Sequence, residues 1–116
     1  YYMLIYLASP YTHEDESMRE YRFQAVCKVA ALLMQQGMHI YAPIAHSHPI
    51  AKYGLPKDWK YWEEYDRKFL AVCGRMLILM LPGWKNSVGI IAETQIAKEL
   101  SIPINFVTEG GLILTQ

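Results

Sequence analysis

Two acids stand where apolar side chains belong, and their placement is the first chemical signal in the sequence. From about Asp58 to Cys73 a helical period puts Lys57, Lys60, Glu63, Glu64, Arg67 and Lys68 on one polar face. Glu63 with Arg67 and Glu64 with Lys68 are spaced as i,i+4 ion pairs. The opposite seam reads Trp59, Trp62, Asp66, Phe69, Leu70, Cys73, so Asp66 is an acid in an apolar stripe. An unpaired buried carboxylate is costly. Asp66 is therefore either a structural acid bonded to a backbone amide or a tyrosine, or a group with a raised pKa that faces a pocket. A second helix, from about Ser87 to Leu100, repeats the anomaly: Gly89, Glu93, Ile96, Ala97 and Leu100 share a seam. Glu93 leans back over Gly89, where the missing side chain leaves room beneath the carboxyl. Ser87 fits the N-cap, and the free N–H groups after it form an anion site. The helix dipole is expected to keep Glu93 ionised, as a nucleophile requires. The plainer alternative makes Gly89 a packing glycine and pairs Glu93 with a surface base. Two carboxyls in unlike surroundings suit glycosidic chemistry, in which one attacks the anomeric carbon and the other manages the leaving group's proton. Tyr6, in the first apolar run, either orients such a carboxylate or packs in the core.

The elements that must position these groups alternate along the chain. Met3 to Ala8 reads as a strand closed by Ser9-Pro10. Ser17 to Gln36 reads as a helix, with Ser17 and Glu20 spaced as a capping box, Gly37 as its stop, and a seam of Met18, Ala25, Val29 and Leu32. Met38 to Ala42 is a second strand, ended by Pro43. Residues 44 to 57 read as a long loop, a kind that often carries function. Arg75 to Leu81 is a nearly unbroken apolar run, as in a central strand buried on both faces. Pro103 to Val107 is the last core strand, and residues 110 to 116 read as an edge strand. This alternation predicts an α/β domain with a doubly wound, mainly parallel sheet of four to five strands and three main helices. Ligands bind such sheets beyond the carboxyl ends of the strands, which here bear Ser9 to His13, Pro43 to His48 and Pro82 to Gly89.

Composition narrows the function classes. The chain has 116 residues, 53% of them hydrophobic, with 11 basic and 11 acidic side chains. That suffices for one hydrophobic core, and a net charge of zero argues against a partner that is polymeric nucleic acid. No apolar run is long enough to span a membrane, and the start, YYMLIYLASP, lacks the basic region of a signal peptide. Cys27 and Cys73 occupy apolar positions and read as buried free thiols. A single soluble cytoplasmic domain is therefore expected. His46-Ser47-His48 has a chelating spacing that His13 or Asp58 could complete, but no C-x-x-C or H-E-x-x-H accompanies it. A histidine that contacts substrate or caps a helix is favoured over a metal ligand, so no metal is expected. Trp59, Tyr61, Trp62, Tyr65 and Trp84 suit core packing, stacking on a base, or an oligomer interface.

Three segments in this order resemble the nucleoside 2-deoxyribosyltransferase-like superfamily: I-Y-L-A-S-P-Y at 5 to 11, Y-D-R-K-F-L-A-V-C at 65 to 73, and S-V-G-I-I-A-E-T-Q-I-A at 87 to 97. The segments A-H-S-H-P-I at 45 to 50 and L-P-G-W at 81 to 84 look like a small bacterial and phage subgroup within it. The resemblance implies a flavodoxin-like fold, a homo-oligomer, and cleavage or transfer at the N-glycosidic bond of a 2'-deoxynucleoside or its 5'-monophosphate, without a cofactor. It implies that Glu93 is a nucleophile forming a covalent deoxyribosyl-enzyme, that Asp66 handles the base proton, and that Tyr6 orients the nucleophile. Ser87 and Gly89 match residues beside the sugar or 5'-phosphate, and Ser9, Pro10 and Tyr11 match a substrate-contacting loop. Arg19 and Arg22 stand in for the missing arginine-rich segment of the monophosphate hydrolases, or else form a solvated helix start. His46 and His48 are further candidate substrate contacts. Relatives carry an aspartate where this chain has Gly74. Two alternatives remain open at this stage: a nucleotide-sensing module without chemistry, and an N-glycohydrolase acting on NAD or another nucleotide.

Overall fold

The computed structural model describes residues 3–56 and 59–114. Its elements run β1 (Leu4–Ala8), α1 (Glu16–Gln35), β2 (His39–Tyr41), α2 (Pro43–Ala51), α3 (Trp59–Ala71), β3 (Arg75–Leu79), α4 (Val88–Glu99), β4 (Ile104–Val107) and β5 (Ile113–Leu114). A 3₁₀ turn at Trp84–Asn86 follows β3. The strands join in the order β2-β1-β3-β4-β5. The first four pair in parallel, and β5 pairs antiparallel to β4. This is the expected doubly wound α/β sheet, with the strand order reversing between β1 and β3. The tail supplies the edge strand, and among its described residues two, Ile113 and Leu114, pair with β4.

Side chains alternate across the sheet, and each face has its own apolar layer. Ile5, Leu7, Leu77, Leu79 and Val107 pack with Ala25, Val26, Val29, Ala30 and Leu33 of α1. Tyr6, Ala8, Met76 and Ile78 face the other way, onto Leu70 and Cys73 at the end of α3 and onto Ile90, Ile96 and Ala97 of α4. The period-2 pattern of β1 thereby sends Tyr6 to the face that also receives Asp66 and Glu93.

Several local expectations change. Asp15, not Ser17, caps α1: its Oδ1 accepts from the Ser17 amide at 3.0 Å and the Ser17 hydroxyl at 2.9 Å. Glu20 is thereby freed from a capping box. The buried seam of α1 runs through Leu33, and Leu32 is largely exposed. Leu100, assigned to the α4 seam, is likewise exposed, and Ile90 is buried instead. The segment read as a loop from 44 to 57 begins as helix α2, with Pro43 in its first turn, where a missing N–H costs nothing. Pro49 lies inside that helix. The expected cap at Asp58 lies outside the described residues. Of the two expected ion pairs on α3, Glu64–Lys68 forms at 3.7 Å, while Arg67 reaches across to Glu99 of α4 at 3.6 Å. Both cysteines are free, Cys73 buried and Cys27 only half-buried. Gly74 abuts the Met3 side chain so closely that a Cβ would lie 2.9 Å from Met3 Cγ, so any side chain at this position requires Met3 to shift. Among the described residues no helix is long and apolar enough to cross a membrane.

Helices α1 and α4 end alike. After α1 the amide of Gly37 donates to Met34 and that of Met38 to Leu33; after α4 the amide of Ser101 donates to Lys98 and that of Ile102 to Ala97. Both are Schellman motifs, whose central residue needs a left-handed backbone. Gly37 takes φ 95° freely, whereas Ser101 holds φ 58° with a Cβ in place. Ser101→Gly should therefore stabilise the fold by about 0.5–1 kcal/mol, and Ser101→Val should destabilise it. Thermal unfolding of the two variants beside the unaltered chain checks the sign.

Candidate functional site

The crevice at the β1/β3 switch holds a cavity of about 460 Å³, a size typical of small-molecule sites. Three chain segments converge on it: the loop after β1, helix α2, and the stretch from Gly83 into the first turns of α4. Asp66 of α3 and Glu93 of α4 both line its wall.

Glu93 is almost completely buried. The Tyr6 hydroxyl donates to its Oε2 at 2.5 Å. Burial pushes the Glu93 carboxyl well above the usual carboxylate range, and the charge of Asp66 raises it further, while the Tyr6 hydrogen bond acts in the opposite sense. This corrects the expectation that the helix dipole governs Glu93. The residue is the sixth of α4, beyond the first turn where the dipole acts, and desolvation dominates. Asp66 is also buried, and its Oδ1 has no hydrogen-bond partner. Burial alone raises its carboxyl. The reading of Asp66 as a structural acid tied to an amide or tyrosine finds no partner at this oxygen. The Tyr6 phenol is held far above its ordinary pKa, first by burial and then by the Glu93 charge, so it remains a donor.

The other predicted residues divide. Ser87 caps α4, its Oγ accepting from the Ile90 amide at 3.3 Å, and with Gly89 it lines the cavity. Ser9, Tyr11, Arg22 and His48 also line it. The Ser9 hydroxyl is buried and unpartnered. Arg22 donates to the Thr12 carbonyl at 3.1 Å and the Pro82 carbonyl at 3.3 Å, bridging the loops after β1 and β3. Gly83, at φ 87°, lies where a Cβ would meet the Arg22 guanidinium at 3.3 Å. Arg19 turns instead to the His13 carbonyl.

Pro10 and His46 do not reach the cavity. The Pro10 ring is fully buried in the interior. His46 is exposed, with its ring stacked on Tyr65 at 5.8 Å and its Nδ1 3.3 Å from the Tyr65 hydroxyl. Its divergence from His48 follows from α2 being helical, since residues two apart in a helix do not share a face. The H-x-H spacing therefore forms no chelate, and among the described residues no three His, Cys, Asp or Glu side chains converge as metal ligands.

Sequence reasoning missed the role of α2 and of Glu20. Pro43, Ser47 and Ala51, with Ile44 and His48, present one helical stripe to the cavity. That i,i+4 signal was present in the sequence but was masked by Pro49. Glu20 binds His48 from 28 residues away, a contact with no local signature. Trp62, noted for its aromatic seam, lines the cavity, and its indole N–H donates to the Pro56 carbonyl at 2.9 Å.

No curated protein matches the chain significantly. A family model described as "Domain of unknown function (DUF1937)" matches residues 3–109, nearly the whole sequence, and the chain belongs to that family.

Proposed function

We propose that this cavity cleaves or transfers at the N-glycosidic bond of a 2'-deoxynucleoside or its 5'-monophosphate. One observation carries the reading: two buried carboxyls line one cavity, one of them holding a phenol O–H and the other leaving an oxygen unpartnered. Two such groups cannot both ionise cheaply, so around neutrality the pair carries one charge and one proton. Burial and the Asp66 charge raise Glu93 at least as far as burial raises Asp66, the Tyr6 hydrogen bond opposes that shift, and the reaction draws on the form with the charge on Glu93 and the proton on Asp66. Glu93 then attacks the anomeric carbon as the carbon–nitrogen bond breaks. The bonding electrons pass to the base nitrogen, and Asp66 supplies the proton that neutralises the leaving base. In the second half, water or an incoming base attacks the same carbon, returns a proton to Asp66 and releases Glu93. The free N–H groups of α4 beyond Ser87, with Arg22 nearby, suit a sugar hydroxyl or phosphate. A cytoplasmic setting, in which both thiols stay reduced, and a homo-oligomer belong to the same proposal.

The test is chromatography of reactions with deoxynucleosides, their 5'-monophosphates and NAD, each with and without a free acceptor base. Released base from the unaltered chain is the expected result, and the acceptor reactions separate transfer from hydrolysis. Glu93→Ala should abolish turnover and any covalent sugar adduct seen by mass spectrometry. Asp66→Asn should lower the rate by about 10²- to 10⁴-fold, and Tyr6→Phe by about 10- to 100-fold. Undiminished turnover in Glu93→Ala overturns the mechanism; ligand-induced stabilisation without product would point to a sensing module.

The protonation assignment has a second consequence. Both carboxyls titrate higher in the folded chain than in the unfolded one, so the folded state binds more protons from about pH 4 up to about pH 8. Stability should therefore fall as pH rises through that window and level off above it. Asp66→Asn should flatten the slope and stabilise the protein at pH 8 by about 1–3 kcal/mol. Urea unfolding at pH 5 and pH 8 reads both effects, and a stability that rises with pH across this range contradicts them.

A further inference from the structure

Beside the carboxyl pair, the cavity wall contains a second polar chain that the proposed reaction does not use. The Tyr11 hydroxyl lies 2.6 Å from His48 Nδ1, and His48 Nε2 lies 2.9 Å from Glu20 Oε1. His48 is 5% exposed. Its ring is stacked on Phe23 at 4.3 Å and met edge-on by Tyr11, so it cannot rotate to exchange partners without disturbing both aromatics. Glu20 is anchored in turn: the Gln24 amide donates to its Oε2 at 3.0 Å, and Lys52 stands 3.7 Å from its Oε1. The Gln24 and His48 hydrogen bonds hold the Glu20 carboxyl below its ordinary range, so it is an anion that only accepts.

With the His48 ring neutral, that anchoring sets the direction of both hydrogen bonds in the chain. A carboxylate has no proton to give, so His48 Nε2 bears one and donates it to Glu20. In the neutral ring Nδ1 then carries a lone pair, and the Tyr11 hydroxyl must donate to it. Burial raises the Tyr11 phenol, so it keeps that proton. Tyr11 lines the cavity, and with its hydrogen committed to His48 its hydroxyl can offer a ligand only a lone pair. The connectivity is that of a carboxylate–histidine–hydroxyl triad, but with a phenol at its end it serves recognition.

We propose that Tyr11 is a specificity-determining residue of this cavity, an obligate hydrogen-bond acceptor whose polarity is set by His48 and Glu20, so that the ligand group seated against it is a neutral donor, an O–H or an N–H. The inference rests on the reading of the cavity as a nucleoside or nucleotide site. Such a ligand offers donors of that kind on the base, as an exocyclic amine or a ring N–H, and on the sugar, as a hydroxyl; the exocyclic amine of adenine or cytosine and the 3'-hydroxyl are the ones tested. His48 and Glu20 act through Tyr11 and are positioning residues. A ligand with an acceptor at that place leaves two lone pairs facing each other, which is the stronger basis for discrimination.

The test measures binding in a Glu93→Gln background, so that no ligand is consumed. The ligands are the 5'-monophosphates of deoxyadenosine against deoxyinosine, of deoxycytidine against deoxyuridine, and of each against its 3'-deoxy counterpart. The first two pairs report the base amine and the third reports the sugar hydroxyl. One donor class should be preferred by about five- to tenfold, and Tyr11→Phe should erase that preference while leaving the weaker member of the pair nearly unchanged. Glu20→Gln, whose amide can donate as well as accept, should bring the preference towards parity with Tyr11 still present, an effect that a merely structural tie between α1 and α2 would not produce. Imidazole ¹⁵N spectra of the unliganded chain should show the His48 proton on Nε2. A preference that survives Tyr11→Phe, a preference for acceptors, or a proton on Nδ1 overturns the inference and leaves the glycosidic reading intact. If no ligand of the panel binds, the glycosidic reading fails, and the ¹⁵N spectrum then decides: a proton on Nε2 upholds the acceptor assignment of Tyr11 and a proton on Nδ1 removes it.

Discussion

Two buried carboxyl groups share one cavity, and the rest of the structure accommodates that fact. Each carboxyl costs stability by being buried, and each raises the cost of ionising the other. Tyr6 relieves one of them, because its O–H reaches Glu93. It can do so only because β1 alternates strictly, sending Ile5 and Leu7 to the α1 layer and Tyr6 and Ala8 to the opposite one. A slip of one residue in the pairing of β1 with β3 would turn Tyr6 to the wrong face. The register between them, with Tyr6 opposite Met76 and Leu7 opposite Leu77, is thus part of the site as well as of the sheet.

The expense of the polar crevice is offset elsewhere. Apolar layers on both faces of the sheet bury Leu33, Leu70, Met76, Leu77 and Leu79 almost completely, and burial on that scale is the main stabilising term in a domain of this size. The crevice itself is assembled from the loop after β1, the proline-bearing helix α2 and the turn into α4, and α2 also lends Ile44 and Ala45 to the α1 layer. Its polar groups are held in two separate systems. Tyr6, Glu93 and Asp66 form the buried end, while Tyr11, His48 and Glu20 lead outward to the surface of α1. We propose bond cleavage for the first system and control of hydrogen-bond direction for the second.

The architecture was legible in the sequence because its signals are local. The apolar runs of β1 and β3, the glycine after α1 and the serine before α4 each announce themselves within a few residues. The acids were legible for the opposite reason: Asp66 and Glu93 violate a helical pattern that is otherwise regular, and a violated pattern marks a site. What escaped were the long-range pairings. Glu20 fitted a capping box by spacing, yet Asp15 took the cap and left Glu20 to bind His48 of α2. His46 and His48 looked equivalent while 44 to 57 read as loop; once the first part is helical, they point apart. The dipole argument for Glu93 failed because it weighed a partial charge one turn away and left out desolvation, the larger effect in a closed cavity.

The bridge made by Arg22 bears on how the crevice opens. Its guanidinium holds the Thr12 carbonyl on one lip and the Pro82 carbonyl on the other, and its stem is rooted in the 20-residue helix α1. The gap between the lips is therefore gauged by a single side chain on a rigid mount, and neither loop sets it alone. A molecule that pushes either lip outward must break the hydrogen bond between that lip and Arg22, so widening the crevice costs at least one charge-assisted contact.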